Sequence, residues 1–220
     1  LKYTSDMNKS FVSDLTQSYN LSSNFPFYKP DGKYYWVGNT QNPMALFERD
    51  YDAQTNNMFG NVLAKYNILD GLSAQLSLGY NRMTLKQTQT IPEISSNPVN
   101  YVSSEAYYGN NELNSFIIEP QLDYVRKIGK GTLNVLLGGT FQSSIKEGQN
   151  LLGANYASDE QLKNPNAAEV LTSRNYNYSE YKYTSVFGRA TYNLDEKYIV
   201  NGTFRRDGSS RFGPKNRFGN

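Results

Sequence analysis

The side chains that most often carry out catalysis are missing from this sequence. Its 220 residues contain no cysteine and no histidine, which excludes disulfides, thiolate nucleophiles, Ser-His-Asp triads and Cys- or His-based zinc sites within this segment. Carboxylates occur in close pairs, at Asp50 with Asp52 and at Asp159 with Glu160. Neither pair has the spacing of a calcium loop, and nothing fixes the carboxylate separation that a glycosidase needs. We expect no catalytic residue, no metal site and no cofactor.

A glycine- and serine-containing run near the end of the sequence invites comparison with phosphate-binding loops. It consists of Asp207, Gly208, Ser209, Ser210, Arg211, Phe212 and Gly213. The spacing of the Walker A and dinucleotide-binding motifs is missing. We interpret the run as a structural motif, because Asp-Gly and Ser-Ser suit a tight turn that leaves a strand. In that role Arg211 would bond carbonyl groups or a neighbouring loop.

An aromatic-rich stretch over residues 25–36 holds the best candidates for ligand or partner contact. These candidates are Phe27, Tyr28, Tyr34, Tyr35 and Trp36. Aromatic rings stack on sugar faces and anchor protein interfaces. The alternative is that these rings only pack the loop against its neighbours or a partner protein.

The elements that must position these residues are predicted to be antiparallel β-hairpins. Apolar and polar residues alternate over 58–68, 72–81, 116–125, 133–142, 185–194 and 198–205. Tight turns separate the strands of each hairpin, at 69–71, 127–131 and 195–196, and each strand has about the ten residues that a tilted strand needs to cross a bilayer. Pro120 lies in mid-strand, where we expect a bulge or a missing ladder hydrogen bond.

Charged residues within these strands share one phase of the alternation. They include Glu119, Asp123, Arg189 and Arg205. If the apolar faces meet lipid, all of them point into a lumen, as a barrel requires, because a lipid-facing charge at the membrane midplane costs about 2–4 kcal/mol. A soluble β-sandwich would show the same alternation with its apolar face toward a core.

Connection lengths favour the membrane interpretation. The connections at about 82–113 and 143–180 exceed the roughly 12–15 residues usual for structureless loops in compact soluble domains. Membrane barrels combine short periplasmic turns with long extracellular loops. The predicted fold class is all-β, an antiparallel up-and-down transmembrane β-barrel that is partial, with about six strands. Residues 1–57 are predicted to be a long extracellular loop region, 58–206 three transmembrane hairpins, and 207–220 the start of the next extracellular loop.

Composition agrees with this assignment. Hydrophobic residues make up 38% of the chain and its mean hydropathy is −0.67, with no run of the roughly 18 apolar residues that a membrane-spanning helix needs. The net charge of +2 is not concentrated in any dense block, so we expect no nucleic-acid partner. The chain begins at Leu1 without a signal peptide, and we expect it to be an excised segment of an exported protein.

Two stretches carry a family resemblance. Residues 183–192 and 197–213, continuing through Asn216, Arg217, Phe218, Gly219 and Asn220, resemble the SusC/RagA family of TonB-linked outer membrane proteins of Bacteroidetes. Asn42-Pro43-Met44-Ala45 is similar to another recurring element of that family. The likeness is specific over about 180–220 and weak in the long loops.

The resemblance implies a barrel of about 22 strands, of which this chain would be roughly a quarter. It also implies an N-terminal plug, which we expect to lie outside these residues, and which contacts the TonB complex. A SusD-like lipoprotein would be the surface partner, outer membrane lipid the surroundings, and oligosaccharides or peptides the imported substrates. The chain would not be an enzyme. The alternative is a soluble surface adhesin or a carbohydrate-binding β-sandwich. An outer membrane barrel enzyme is disfavoured, because many such hydrolases rely on histidine.

Overall fold

The computed structural model describes residues 1–11, 15–100, 103–213 and 217–219. Over these residues the chain forms one eight-stranded antiparallel sheet in which strands adjacent in sequence are adjacent in space. The strands are β1 (Lys2–Phe11), β2 (Asp50–Leu69), β3 (Leu72–Ile91), β4 (Glu105–Ile128), β5 (Gly131–Tyr156), β6 (Ala168–Leu194), β7 (Tyr198–Ser209) and β8 (Phe218–Gly219). Short 3₁₀ helices lie at Leu15–Asn20, Met44–Glu48, Glu93–Ser95, Asp159–Gln161 and Pro165–Ala167. None of the described helices is long and apolar enough to cross a membrane.

The up-and-down antiparallel fold class is confirmed, and the predicted strands correspond to β2–β7. The structure adds β1 and β8. Alternation did not reveal β1 because Lys2–Phe11 mixes polar and charged residues on both faces. β8 is only 2 residues long in the described part of the chain, too short for any periodic pattern.

The strands extend well beyond their predicted bounds, so the predicted loop ranges need correction. β5 and β6 contain 26 and 27 residues, more than twice the roughly 9–11 needed to cross a bilayer. The connections shrink from 82–113 to 92–104 and from 143–180 to 157–167. Polar residues occupy both faces of the extensions, so the apolar alternation stops there while the hydrogen-bonded ladder continues.

The strand register assembles the apolar residues into a continuous band on one face of the sheet. Val62 lies opposite Leu78, Leu78 opposite Ile118, and Ile118 opposite Phe141, and directly opposed residues share a face. We call this side the apolar face. Its other members include Ala64, Tyr66, Leu76, Tyr80, Phe116, Leu122, Val135, Leu137, Val186 and Phe204.

The opposite side, the polar face, carries the charged residues singled out above. Glu119 lies opposite Ser77, and Asp123 lies opposite Leu136, which in turn lies opposite Arg189. Arg205 lies opposite Phe187 on the same side. The four charges therefore share one face. Their orientation toward a lumen stays a prediction.

No second layer covers the apolar face within the described residues. Val62 is 61% exposed, Leu122 44% and Leu137 50%, whereas a sandwich core would bury such side chains. The buried hydrophobic residues lie instead at the loop end of the sheet, where Ala106, Tyr156 and Leu162 form a small cluster. This distribution favours a barrel wall over a soluble sandwich.

Mid-strand Pro120 interrupts the ladder as predicted. Pairing of β4 with β5 stops after Ile118, which lies opposite Phe141, and resumes at Gln121, which lies opposite Gly138. Proline has no backbone N–H to donate to the ladder. The register is unchanged across the gap, so the alternation of faces continues along β4.

All three tight turns use left-handed backbone, which Gly129 supplies in the turn between β4 and β5 with φ +60°. Gly71 has φ +79°, and a Cβ atom on it would lie 2.1 Å from the carbonyl oxygen of Val125, so this turn requires glycine. Asp195 and Glu196 have φ of 51° and 57°, a conformation that non-glycine residues adopt at an energetic cost.

Candidate functional site in the loop crown

The longer connections all lie at one end of the sheet, opposite the tight turns. We call residues 15–49, 92–100, 103–104 and 157–167 the loop crown. The connections from β1 to β2, β3 to β4 and β5 to β6 supply it. This end of the sheet also holds the buried cluster of Ala106, Tyr156 and Leu162.

The aromatic-rich stretch forms a small hairpin within the crown. The hairpin covers residues 27–36. The N–H of Lys29 donates to the carbonyl of Lys33 (2.8 Å), and the N–H of Tyr35 donates to the carbonyl of Phe27 (3.0 Å). Tyr28 and Tyr34 stack with their ring centroids 5.5 Å apart. We call this element the aromatic hairpin.

Asn42 fixes the aromatic hairpin through hydrogen bonds to its backbone. Its side chain is fully buried, and its Nδ2 donates to the carbonyls of Phe27 (2.6 Å) and Tyr35 (2.9 Å). Its Oδ1 accepts from the N–H of Met44 (2.9 Å), and the neighbouring Ala45 is fully buried. The Asn-Pro-Met-Ala element is therefore a structural clamp for the predicted aromatic contacts.

Polar side chains also join the first two loops of the crown. Asn97 donates from Nδ2 to the carbonyl of Gly38 (2.7 Å). Arg49 donates from Nε to Ser95 Oγ (3.1 Å) and from Nη2 to Ser96 Oγ (3.3 Å). Burial lowers the pKa of the Arg49 guanidinium from its ordinary value. These bonds connect segments about fifty residues apart in sequence.

Lys163 ties the third loop to the first residues of β2. Its Nζ lies 2.8 Å from Asp52 Oδ2 and 3.7 Å from Asp50 Oδ2. The hydrogen bond to Asp52 raises the pKa of Lys163. The carboxylate pair singled out in the sequence is thus engaged by a cation of this chain.

A cleft of about 750 Å³, here called the crown cleft, opens between the aromatic hairpin and the other two loops. Its lining residues are Lys29, Lys33, Tyr34, Trp36, Glu93, Ile94, Ser96, Pro98, Asn100 and Asp159. It combines aromatic rings with side chains of both charges. Such a surface can stack against a ring and pair with a charged group of either sign.

The structure divides the five predicted aromatic contacts into two groups. Tyr34 and Trp36 line the crown cleft, and burial, followed by the hydrogen bond to Glu48, raises the pKa of Tyr34 to about 12. The other three do not line it. Phe27 and Tyr35 make edge contacts with Phe25, and Tyr28 stacks on Tyr34.

Sequence reasoning did not assign the charged residues of the cleft to a binding site. Lys29 and Lys33 stand within the aromatic stretch and were detectable there. Glu93 and Asp159 come from two other loops, and the N–H of Glu93 donates to Asp159 Oδ1 (3.4 Å). No spacing in the sequence indicates that these two residues meet.

A hydrogen-bonded network lies on the polar face at the loop end of β6 and β7. Arg205 donates from Nε to both oxygens of Asp207 (2.9 and 3.0 Å) and from Nη2 to Tyr183 Oη (2.8 Å). Tyr183 donates from its hydroxyl to Asp207 Oδ1 (2.7 Å), and the Arg205 guanidinium lies 5.7 Å from the Phe187 ring centroid. Charge-assisted bonds of this kind fix side-chain orientation.

Comparison with known proteins identifies the class of barrel. No protein-family model matches the chain. The chain is 29% identical over 213 residues to the TonB-dependent receptor SusC of Bacteroides thetaiotaomicron, an alignment covering 91% of this chain and 20% of the receptor. It is 25% identical over 209 residues to the TonB-dependent receptor P3 of Formosa agariphila, covering 93% and 21%. The chain is a SusC/RagA-like barrel segment.

The fold comparison agrees with the sequence comparison. The structure of the RagAB peptide transporter superposes on this SusC/RagA-like segment with a TM-score of 0.69 at 22% identity, covering 85% of this chain and 21% of that one. The segment spans about a fifth of the length of these relatives. Their names describe receptors and a transporter, with no enzyme among them.

The first two residues of the family-like run, Asp207 and Gly208, lie on opposite faces of the sheet. Asp207 joins the polar-face network, whereas Gly208 is buried on the apolar face beneath the Phe218 ring. A Cβ on Gly208 would lie 2.6 Å from that ring, so only glycine allows this contact.

The rest of the run continues the ladder and then turns. The backbone of Ser209 bonds to that of Arg217 (2.9 Å), and the backbone N–H of Ser210 bonds to the carbonyl of Lys182 (2.9 Å). Arg211 lies 4.6 Å from the Tyr181 ring centroid. Phe212 and Gly213 are exposed at the turn, and Asn216 and Asn220 lie outside the described residues.

Proposed function

We propose that this segment forms wall and surface loops of a TonB-dependent outer membrane transporter that imports large nutrients. One observation carries the proposal. An exposed apolar band runs in register across β2–β7 while the charged residues share the opposite face, in a chain that aligns with SusC over 91% of its length. Alternation of a lipid face and a lumen face is the defining property of a membrane barrel.

In this proposal the residues of the segment do no bond chemistry. The crown cleft captures the nutrient through Tyr34, Trp36 and the flanking charges, and the nutrient then passes along the polar face. Glu119, Asp123, Arg189 and Arg205 keep that path hydrated. The plug, elsewhere in the full protein, would connect to the TonB complex, which supplies the energy.

The mixed chemistry of the crown cleft supports oligosaccharides or peptides as the substrate class. Rings such as Trp36 can stack on sugar faces. Lys29 and Lys33 on one side, with Glu93 and Asp159 on the other, can pair with the termini and side chains of a peptide. A SusD-like surface lipoprotein is the proposed partner, closing over the loop crown.

Deletion of the full-length gene in its own host, with complementation, tests the proposal. We expect the protein in the outer membrane fraction, and we expect the deletion strain to lose growth on a peptide or oligosaccharide mixture while keeping growth on the matching amino acids or monosaccharides. A complementing gene with Tyr34→Ala and Trp36→Ala should restore growth only in part. Recovery of the protein from the inner membrane or the soluble fraction would overturn the proposal.

A further inference from the structure

A second cleft lies on the apolar face, on the side of the sheet opposite the polar-face network. Its volume is about 500 Å³. Phe116, Phe141, Thr184 and Phe218 line it, each from a different strand. We call it the wall cleft. These residues share the apolar face, because Phe141 lies opposite Thr184 and Phe218 lies opposite Gly208.

The wall cleft is placed where the apolar band ends and the polar extensions of the strands begin. Next along the same face of β4 from Phe116, toward the loops, come Asn114 and then Glu112, which pairs with Arg82 (3.1 Å). This boundary corresponds to the outer interface of a membrane in the proposed orientation. A guanidinium on the lipid side costs about 0–1 kcal/mol near an interface, against about 2–4 kcal/mol at the midplane.

Three basic residues lie at the wall cleft. Lys182 and Arg217 belong to its lining, and the Arg206 guanidinium lies 5.7 Å from the centroid of the lining Phe218 ring. Among the described residues near the wall cleft, Glu180 opposes these charges, with its carboxylate 2.8 Å from Lys182 Nζ. The rim therefore keeps an excess of positive charge beside an apolar floor.

We propose that the wall cleft binds a phosphorylated glycolipid of the outer leaflet. An acyl chain would lie against Phe116, Phe141 and Phe218, and the phosphate would meet the cations on the rim. Apolar area and positive charge side by side match the two halves of such a molecule. This inference rests on the proposed function, because the apolar face meets lipid only in a membrane barrel.

The test uses the full-length protein purified from outer membranes in detergent. Native mass spectrometry measures binding of lipid A with its phosphate and of the same lipid after dephosphorylation. The test variant combines Lys182→Gln, Arg206→Gln and Arg217→Gln, with Arg206→Gln alone as a milder form. Lys127→Gln, at a tight turn far from the wall cleft, is the matched control. Heat-dependent gel migration reports whether each variant is folded.

We expect wild type and the Lys127→Gln control to prefer the phosphorylated lipid. The triple variant should bind that lipid at least about tenfold more weakly, because each basic residue near a membrane surface contributes measurably to anionic lipid binding. Equal binding of the two lipids by wild type, or unchanged binding by the folded triple variant, would overturn the inference. Displacement of the lipid by inorganic phosphate would assign the rim to a free anion and would also overturn it.

Outer membrane fractionation of the same strains separates the two proposals. A protein absent from the outer membrane would contradict the transporter assignment itself. A folded outer membrane protein without preference for the phosphorylated lipid would contradict only the wall cleft. Arg206→Gln is expected to leave nutrient uptake unchanged, because its side chain is on the face opposite the polar path.

Discussion

Replacing Asn42 with alanine should release the aromatic hairpin while leaving the sheet intact. The side chain is fully buried and makes three hydrogen bonds, two as donor to Phe27 and Tyr35 and one as acceptor from Met44. A hydrogen bond of this kind contributes about 1 kcal/mol net. The aromatic hairpin is therefore expected to lose about 3 kcal/mol of stability. That loss makes its opening about 100-fold more favourable.

Amide hydrogen exchange measures this opening directly. In Asn42→Ala the N–H of Tyr35, which bonds the carbonyl of Phe27, should exchange about 100-fold faster. Amides in the middle of β3, such as that of Leu78, should be unaffected. Asn42→Asp keeps the acceptor and loses both donors, so its effect should be intermediate.

The control is Asn39→Ala, because Asn39 is exposed in the neighbouring turn. Its exchange rates should match those of wild type. If Asn42→Ala left the Tyr35 amide within about twofold of wild type, the clamp assigned to Asn42 would be refuted. Acceleration throughout the sheet would also refute it, since the reasoning confines the loss to the crown.

Three further predictions follow from single positions. Glu196→Gly should stabilise the folded barrel by about 1 kcal/mol, measured by urea unfolding in lipid, because the residue has φ 57°. Gly71→Ala should lower the free energy of unfolding, measured in the same way, by at least about 1 kcal/mol, because its Cβ would collide with the Val125 carbonyl. The raised pKa of Tyr34, about 12 against 10.0, means that its stabilisation of the crown is complete below pH 10 and is lost as the pH rises through 12. Difference spectra of tyrosinate absorption between wild type and Tyr34→Phe should show one phenol ionising near 12.

The membrane-spanning parts of the fold could be predicted because one face must be apolar. Residues such as Leu76, Leu78, Leu122 and Leu137 belong to strands in which every second side chain is apolar. This alternation is typical of a β-strand with one apolar face. The strand extensions could not be found in this way. Along β3, for example, Lys86 and Thr88 alternate with Gln87 and Gln89, so both faces are polar and the pattern has no amphipathic signal.

Only some residues of the crown cleft could be predicted from the sequence. Local composition pointed to Tyr34 and Trp36, because aromatic residues concentrate there. Asn42 was noticed as part of a family-like element, and its hydrogen bonds to residues 27 and 35 became visible only in the folded loop. Contacts such as that of Asn97 with Gly38, 59 residues apart, depend on how the sheet brings its loops together, which no short-range pattern encodes.

The central claim is that the apolar face meets lipid and the polar face meets water. Single cysteines at Leu122 and at its neighbour Gln121, in a full-length protein without other cysteines, can carry a spin label on either face. In bilayers the label at 122 should be accessible to oxygen and shielded from a water-soluble nickel complex, and the label at 121 should show the reverse. Equal accessibility at the two positions, or the opposite pattern, would contradict the account.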